Sequence, residues 1–223
     1  MCTDACEKLQ RLLYFCMQHR GNRPARFVFL GDYIDRGPDS CGVISTLLRL
    51  QRERSSQVIC LRGNHEALML HALPWGRDEG LLWVSQGGAK MPGDHLSWVQ
   101  SLPLSFDDGL RMFVHAGVNP AVPLDQQSER DLLCIREPFL SHTGEFGRLI
   151  VHGHTPTRQV ELRPNRVNLD TGAVFGARAG PWRPGFPVEG IRRFPDLRGR
   201  QSGSDRTRLL HHGERTSEPL TRN

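Results

Sequence analysis

The chain has 223 residues, 38% hydrophobic and 24% charged, which is the composition of a globular domain and excludes a disordered or fibrous chain. Its formal charge of +5 is uneven, because residues 1–176 balance acids and bases while residues 177–223 carry ten arginines against five acids. No apolar run reaches the roughly 20 residues of a membrane helix and the first residues lack a signal-peptide pattern, so we expect a cytoplasmic protein without membrane contact.

The pattern of apolar residues predicts helices that alternate with short strands. One helical stripe falls on Leu9–Cys16, and a second, Val43–Leu48, follows the start sequence Pro38-Asp39-Ser40. Runs rich in β-branched and aromatic residues predict five strands, at 26–30, 57–61, 111–115, 148–152 and 166–169. This alternation is typical of an α/β domain, in which ligands bind outside the carboxyl ends of the strands.

Polar side chains follow four successive predicted strands. In chain order these strand ends carry Asp32 with Asp35, Asn64 with His65, His115, and His154. Since such ends meet at one edge of a sheet, we expect these side chains to lie together, and their chemistry suits a hard or borderline metal ion. The six histidines that lie away from strand ends are interpreted as ordinary core or surface residues.

Five motifs occur in one order: G-D-Y-I-D-R-G at 31–37, G-N-H-E at 63–66, V-H-A-G at 114–117, I-R-E-P-F-L at 135–140 and G-H-T-P at 153–156. Over residues 5–176 the chain thereby resembles the calcineurin-like metallophosphoesterases, and among them the bacterial Ser/Thr phosphoprotein phosphatases. The resemblance implies an α/β/β/α sandwich of two mixed sheets flanked by helices, here missing the first and last strands of the family. It also implies metal-dependent hydrolysis of phosphomonoesters by a metal-activated water.

The resemblance implies a site for two divalent ions, with Mn²⁺ as the first expectation and Fe or Zn as the alternative. Asp32 would bridge the two ions, and Asn64, His115 and His154 would complete the shell of the second ion. A carboxylate suits bridging because its two anionic oxygens diverge, and a neutral imidazole tolerates a nearby cation. We therefore expect these four side chains to bind metal.

Catalytic roles are implied by the same resemblance. His65 would protonate the leaving oxygen, and Asp35 would orient its imidazole. Arg36 and Arg136 would bind phosphoryl oxygens in bidentate fashion, and Asn64 and His65 would contribute to binding the substrate phosphate.

Three further residues in or beside the motifs have more modest roles in this interpretation. Glu66 is expected to fix the loop or the start of the following helix, since an acid in the first helical turn is favoured by the helix dipole. His152 is expected to pack or to support a ligand rather than to bind metal. Asp170 is expected to shape the site without binding metal.

The chain departs from the family pattern at both ends. The family's first motif, G-D-x-H-G, is missing, because its Asp and His would fall on Met1 and Thr3, which are poor ligands for a hard ion. The first ion would keep only the bridging carboxylate, so one ion is expected in this chain. After Gly176 the family's last strand is also absent. These departures suggest a start assigned too late and a shifted reading frame, and we expect the literal chain to be poorly soluble and weakly active.

The composition predicts two regions. Residues 1–176 form an N-terminally incomplete metallophosphoesterase domain, and residues 177–223 form an Arg/Pro/Gly-rich, disordered tail. Acids interrupt the basic residues of this tail, so nucleic acid is not the expected partner. The six cysteines show no paired spacing and are interpreted as reduced thiols.

Three functions remain open from the sequence. The leading one is a protein serine/threonine phosphatase that acts on a phosphoprotein or a phosphorylated small molecule. A symmetrical bis(5'-nucleosyl)-tetraphosphatase is the alternative enzyme, because it resembles this chain in the same motifs. The third is a catalytically weak or dead module that binds a single metal ion.

Overall fold

The computed structural model describes Leu9, residues 26–35, 37, 39–72 and 91–172, and the backbone of a strand at 208–210. Its first elements are strand β1 (Phe27–Phe29), helix α1 (Ser40–Glu53), strand β2 (Val58–Cys60) and helix α2 (Asn64–Ala72). Next come helix α3 (Gly93–Ser101), strands β3 (Ser105–Asp107) and β4 (Arg111–Val114), a 3₁₀ turn (Leu124–Gln126) and helix α4 (Glu129–Cys134). The last are strands β5 (Leu149–His152), β6 (Glu161–Leu162), β7 (Arg166–Asn168) and β8 (Arg208–Leu210).

The strands form two sheets. Strands β1 and β2 make a parallel pair, and the other six make a mixed sheet in the order β6-β7-β5-β4-β3-β8, whose strands β4, β5 and β7 run parallel. The predicted α/β fold with two sheets and helices is confirmed. Within the described residues, only the six-stranded sheet is mixed.

The predicted strands form where the sequence places them, each one or two residues shorter than expected. Helix α1 begins after Asp39, whose Oδ1 accepts a hydrogen bond of 2.7 Å from the backbone N–H of Gly42 and so caps the helix. The predicted helix Leu9–Cys16 lies outside the described residues except for Leu9, which is helical. Among the described helices, none has the length and apolar character needed to span a lipid bilayer.

Two hydrophobic cores hold the fold together. The first joins β2 to α1 and α3, and the second joins β4 and β5 to α4. Helix α2 lies between them, because its Met69 is buried in the first core and its Ala67 in the second. The amino end of α2, which carries Asn64 and His65, is therefore fixed by both sheets.

Strand β8 lies in the segment predicted to be disordered. It pairs antiparallel with β3, with Leu209 opposite Phe106. The edge of β3 would otherwise offer unpaired backbone groups, which this strand satisfies. The rest of the tail lies outside the described residues, and the domain boundary at 176 stays a prediction.

Candidate active site

Four strand ends bring polar side chains into one region, as the sequence predicts. Asp32 follows β1, Asn64 begins α2 just after β2, His115 follows β4, and His154 follows β5. Because β1 pairs parallel with β2, and β4 with β5, the carboxyl ends of each pair lie side by side.

The nitrogen and oxygen atoms of these four side chains that could bind a metal ion lie close together. Oδ1 of Asn64 is 3.0 Å from Nε2 of His115 and 2.9 Å from Nδ1 of His154. Nε2 of His115 is in turn 3.1 Å from Nδ1 of His154 and 3.4 Å from Oδ1 of Asp32. One ligand atom each from Asp32, His115 and His154 falls within a span of 4.8 Å, a cluster that could hold a metal ion.

The hydrogen bonding of His115 indicates what this cluster needs. Its Nδ1 lies 2.7 Å from the carbonyl oxygen of Leu30, which can only accept, so Nδ1 carries the proton. In the neutral ring, Nε2 then presents a lone pair to the oxygens of Asn64 and Asp32, which also present lone pairs. Such a set of facing acceptors repels itself and fits a cation in its midst.

Both histidines are in the form that binds metal. Burial lowers the pKa of His115, opposed by the nearby Asp32 carboxylate. Burial also lowers the pKa of His154 to about 4, with a smaller contribution from the neighbouring His115. At neutral pH both imidazoles are therefore uncharged.

A second pair of side chains adjoins the cluster. Nδ1 of His65 is 2.6 Å from Oδ2 of Asp35, and both side chains are largely buried. The backbone N–H of His65 also donates to Oδ1 of Asp32 at 3.3 Å. Asp32 and Asp35 both adopt left-handed backbone conformations, with φ of 59° and 64°, which are uncommon for residues other than glycine. The loop after β1 therefore has to be held by other contacts.

Glu66 supplies those contacts. Its side chain is fully buried and accepts hydrogen bonds from the backbone N–H groups of Asp32, Tyr33, Ile34 and Gly63, at 2.7–3.2 Å. Burial raises the pKa of Glu66, and these N–H donors oppose the rise. Gly63 has no room for a side chain, because a Cβ there would lie 2.8 Å from Oε2 of Glu66. Glu66 thus ties the Asp32 loop to α2, in the role that the sequence predicts.

The cluster and the pair face one cavity of about 510 Å³. Arg136 lines the same cavity, so the structure brings together seven of the eight predicted site residues: Asp32, Asp35, Asn64, His65, His115, Arg136 and His154. The eighth, Arg36, lies outside the described residues. The remaining wall is partly apolar and includes Ile34, Pro156 and the exposed Leu169.

The structure also places the two residues that the sequence assigns to supporting roles. His152 is fully buried, with its ring 4.8 Å from that of Phe139, and burial lowers its pKa to about 4. Asp170 lines the cavity, and its Oδ1 accepts a hydrogen bond of 2.9 Å from the N–H of Gly172.

Sequence reasoning gave no role to four residues in or behind the cavity, although two of them, Phe139 and Pro156, lie within the motifs. Pro156 and Leu169 line it, and the buried Arg166 and Phe139 pack behind it. Leu169 precedes Asp170 directly after a strand, so its position was a usable signal. The contact of Arg166 with the carbonyl oxygen of Leu140 left no such signal, because the two residues lie 26 positions apart in the sequence.

Comparisons with known proteins agree with this geometry. The sequence profile of the calcineurin-like phosphoesterases matches residues 2–178. Serine/threonine-protein phosphatase 1 of Salmonella typhimurium is 31% identical over 169 residues, covering 68% of this chain and 74% of that protein. The asymmetrical bis(5'-nucleosyl)-tetraphosphatase PrpE of Anoxybacillus flavithermus is 26% identical over 181 residues, covering 69% of this chain and 73% of that protein. A crystal structure assigned as a diadenosine tetraphosphatase shares the fold, with a TM-score of 0.58 at 23% identity, covering 74% of this chain and 79% of its own.

Proposed function

The chain belongs to the calcineurin-like phosphoesterase family, and we propose that it is a metal-dependent phosphomonoesterase whose substrates are phosphoserine and phosphothreonine in proteins. The observation that carries this proposal is that four metal-type donors, a His–Asp pair and an arginine all line one cavity. Each of these parts has a role in phosphoryl transfer to water, and among the described residues this is the one cluster of metal-type side chains.

Asp32, Asn64, His115 and His154 are the residues that would hold a divalent ion, with Mn²⁺ proposed. A divalent ion bound there would lower the pKa of a water molecule and would offer positive charge to the phosphoryl oxygens. The imidazoles are neutral, and the atoms that face one another are hydrogen-bond acceptors. They therefore fit a bound cation better than hydrogen bonds among themselves. The number of ions bound by this chain follows from metal analysis of the purified protein.

His65 is proposed as the general acid. A carboxylate can only accept a hydrogen bond, so Asp35 holds the ring with the proton on Nδ1, and Nε2 is the atom that exchanges a proton with the substrate. Donation from Nε2 to the leaving oxygen avoids the release of a high-energy alkoxide, which matters most for the poor leaving groups serine and threonine.

Arg136 is proposed to bind the phosphoryl oxygens. Arg136 lines the cavity, and its charge contributes to the lowered pKa of His154, which is due first to burial. A planar fork of donors matches two phosphate oxygens at once. Arg36 is proposed for the same role from its place in the first motif.

A second candidate is the cleavage of dinucleoside tetraphosphates. The apolar wall formed by Ile34, Pro156 and Leu169 could contact a nucleoside, and one relative is named for this activity. That relative is an asymmetrical tetraphosphatase, whereas the motifs led us to expect a symmetrical one. Of the Salmonella and Anoxybacillus relatives, the Salmonella protein has the higher identity and is named a protein phosphatase. We therefore place the protein phosphatase first.

The experiment compares a phosphoserine peptide with diadenosine tetraphosphate as substrates in the presence of Mn²⁺. We expect release of inorganic phosphate from the peptide, abolished in D32N and retained in D125N, whose exposed carboxylate lies in the 3₁₀ turn. Exclusive cleavage of the dinucleotide would replace the first candidate by the second. One bound ion per chain without turnover of either substrate would favour the third function, a single-metal binding module.

A further inference from the structure

A buried arginine behind the cavity has no part in the chemistry described so far. Arg166, at the start of β7, is 3% exposed, and its Nη1 lies 2.6 Å from Oε2 of Glu161 on β6. Its Nη2 donates at 2.9 Å to the carbonyl oxygen of Leu140, which is 26 residues earlier in the chain. Arg166 thus joins the β6–β7 hairpin to the stretch that follows α4.

That stretch, residues 136–144, is called here the Arg136 segment. Its first turn is closed by a hydrogen bond of 2.9 Å from the N–H of Leu140 to the carbonyl oxygen of Arg136. Arg166 therefore holds the far end of the turn that begins at Arg136. Asn165 adds two bonds to the same segment, from its Nδ2 to the carbonyl oxygens of His142 and Gly144, at 3.0 and 2.8 Å.

Phe139 fixes the segment from the other side. Its side chain is fully buried, and its ring packs edge-on to His152 and against Gly117, where any side chain would clash with it. The guanidinium of Arg166 lies over the same ring, 5.8 Å from its centroid. The Arg136 segment is therefore held between the hairpin and the two loops that carry His115 and His154.

We propose that Arg166 is a positioning residue: through the Arg136 segment, it holds the guanidinium of Arg136 where the cavity receives a phosphoryl group. The ion pair of the buried Arg166 with the partly exposed Glu161 by itself adds little net stability, because desolvation of the guanidinium offsets the attraction. The hydrogen bond from Arg166 to the carbonyl oxygen of Leu140 fixes the position of that carbonyl group, which an apolar side chain at position 166 could not do. This inference rests on the proposed phosphate-binding role of Arg136.

The test measures the dissociation constant of inorganic phosphate for the full chain loaded with Mn²⁺, by calorimetry, so that no turnover is needed. R166K keeps the charge but has only one donor group, which cannot serve Glu161 and Leu140 in the same way. We expect R166K to raise the phosphate dissociation constant about tenfold while Mn²⁺ affinity stays within about twofold. R163K is the matched control, since Arg163 pairs with the same Glu161 carboxylate from an exposed position.

The decisive comparison uses R136A as the background. If Arg166 acts through Arg136, R166K changes phosphate binding by less than about twofold once Arg136 is gone. Full additivity of the two substitutions overturns the inference, as does unchanged phosphate binding in R166K. If R136A itself leaves phosphate binding unchanged, the proposed role of Arg136 fails and the inference falls with it.

A second variant covers the case in which R166K does not fold. N165A removes two hydrogen bonds to the Arg136 segment and leaves the Arg166–Glu161 ion pair intact. We expect a severalfold weaker binding of inorganic phosphate, with the same dependence on Arg136. Unchanged phosphate affinity in folded N165A would overturn the inference that the hairpin positions this segment.

Discussion

His65 and Asp35 are joined by a hydrogen bond of 2.6 Å between Nδ1 of the imidazole and Oδ2 of the carboxylate. The two residues lie 30 positions apart, at the ends of β1 and β2, whose parallel pairing brings them together. The bond sets the tautomer and the orientation of the ring, so the function of His65 should depend on Asp35.

We predict that D35N lowers kcat for phenyl phosphate by roughly 10²–10⁴, the usual contribution of a general acid–base group. The loss should be smaller for p-nitrophenyl phosphate, because nitrophenolate leaves without a proton. Steady-state kinetics on the two esters, with D125N as the control, measure the difference. An equal loss on both esters would contradict a proton-donating role for this pair.

Asn64 offers a direct test of the metal site. Its Oδ1 contacts both His115 and His154, so N64A removes a neutral oxygen donor from the centre of the cluster. We predict a loss of Mn²⁺ affinity of at least about tenfold, since even partners outside the ligand set typically contribute 10–100-fold. Calorimetric titration of Mn²⁺ checks this. Q100A, which removes an exposed amide from α3, should bind like the unchanged chain.

Glu66 should be important for stability as well as for the site. In E66Q, an amide NH₂ would face backbone N–H groups that now donate to a carboxylate oxygen, leaving buried donors unpaired. We predict a loss of about 1–3 kcal/mol in the free energy of unfolding. Urea denaturation of the metal-free protein gives this value. The matched variant E53Q, at the exposed end of α1, should change the free energy little; an equal effect would contradict the role of Glu66.

The lowered pKa of His95 predicts that the stability of the protein depends on pH. Burial lowers its pKa, opposed by Asp94, and its Nε2 lies 3.0 Å from Oγ of Ser45 on α1. Because the folded state binds this proton less readily than the unfolded state, the contribution of His95 is complete above the unfolded pKa of about 6.5 and is lost as pH falls toward the folded value.

The free energy of unfolding of the metal-free protein should therefore fall between pH 7 and pH 5, and less steeply in H95Q. H71Q is the control, because His71 is exposed on α2. Urea titrations at several pH values give the two slopes. Burial also lowers the pKa of His115, His152 and His154, so part of the fall should remain in H95Q. A slope in H95Q equal to that of the unchanged chain would show that His95 does not contribute to it.

The sequence predicts well that the four proposed metal ligands lie together, because position along a strand determines it. Asp32, Asn64, His115 and His154 each follow a strand with a recognisable apolar pattern, and parallel strands bring their ends together. The His65–Asp35 pair follows from the same logic. Helix α2 was expected only as one alternative for the segment that follows Glu66, without bounds, because its buried face includes this acidic residue, which obscures the apolar periodicity.

The supports of the site could not be predicted in this way. Arg166 acts on the backbone carbonyl of Leu140, and every residue type offers such a carbonyl, so the sequence holds no signal for the contact. Strand β8 is three residues long, in a segment whose composition is typical of disorder. Its pairing depends on the free edge of β3, which only the folded sheet provides.

The central claim is that the side chains at the ends of β1, β2, β4 and β5 bind one cation together. The most direct measurement is pulsed electron paramagnetic resonance of the Mn²⁺-loaded protein with ¹⁵N-labelled histidine. The account predicts modulation from two coordinated imidazole nitrogens, of which H115N and H154N each remove one. Bound Mn²⁺ without any histidine nitrogen modulation would contradict it.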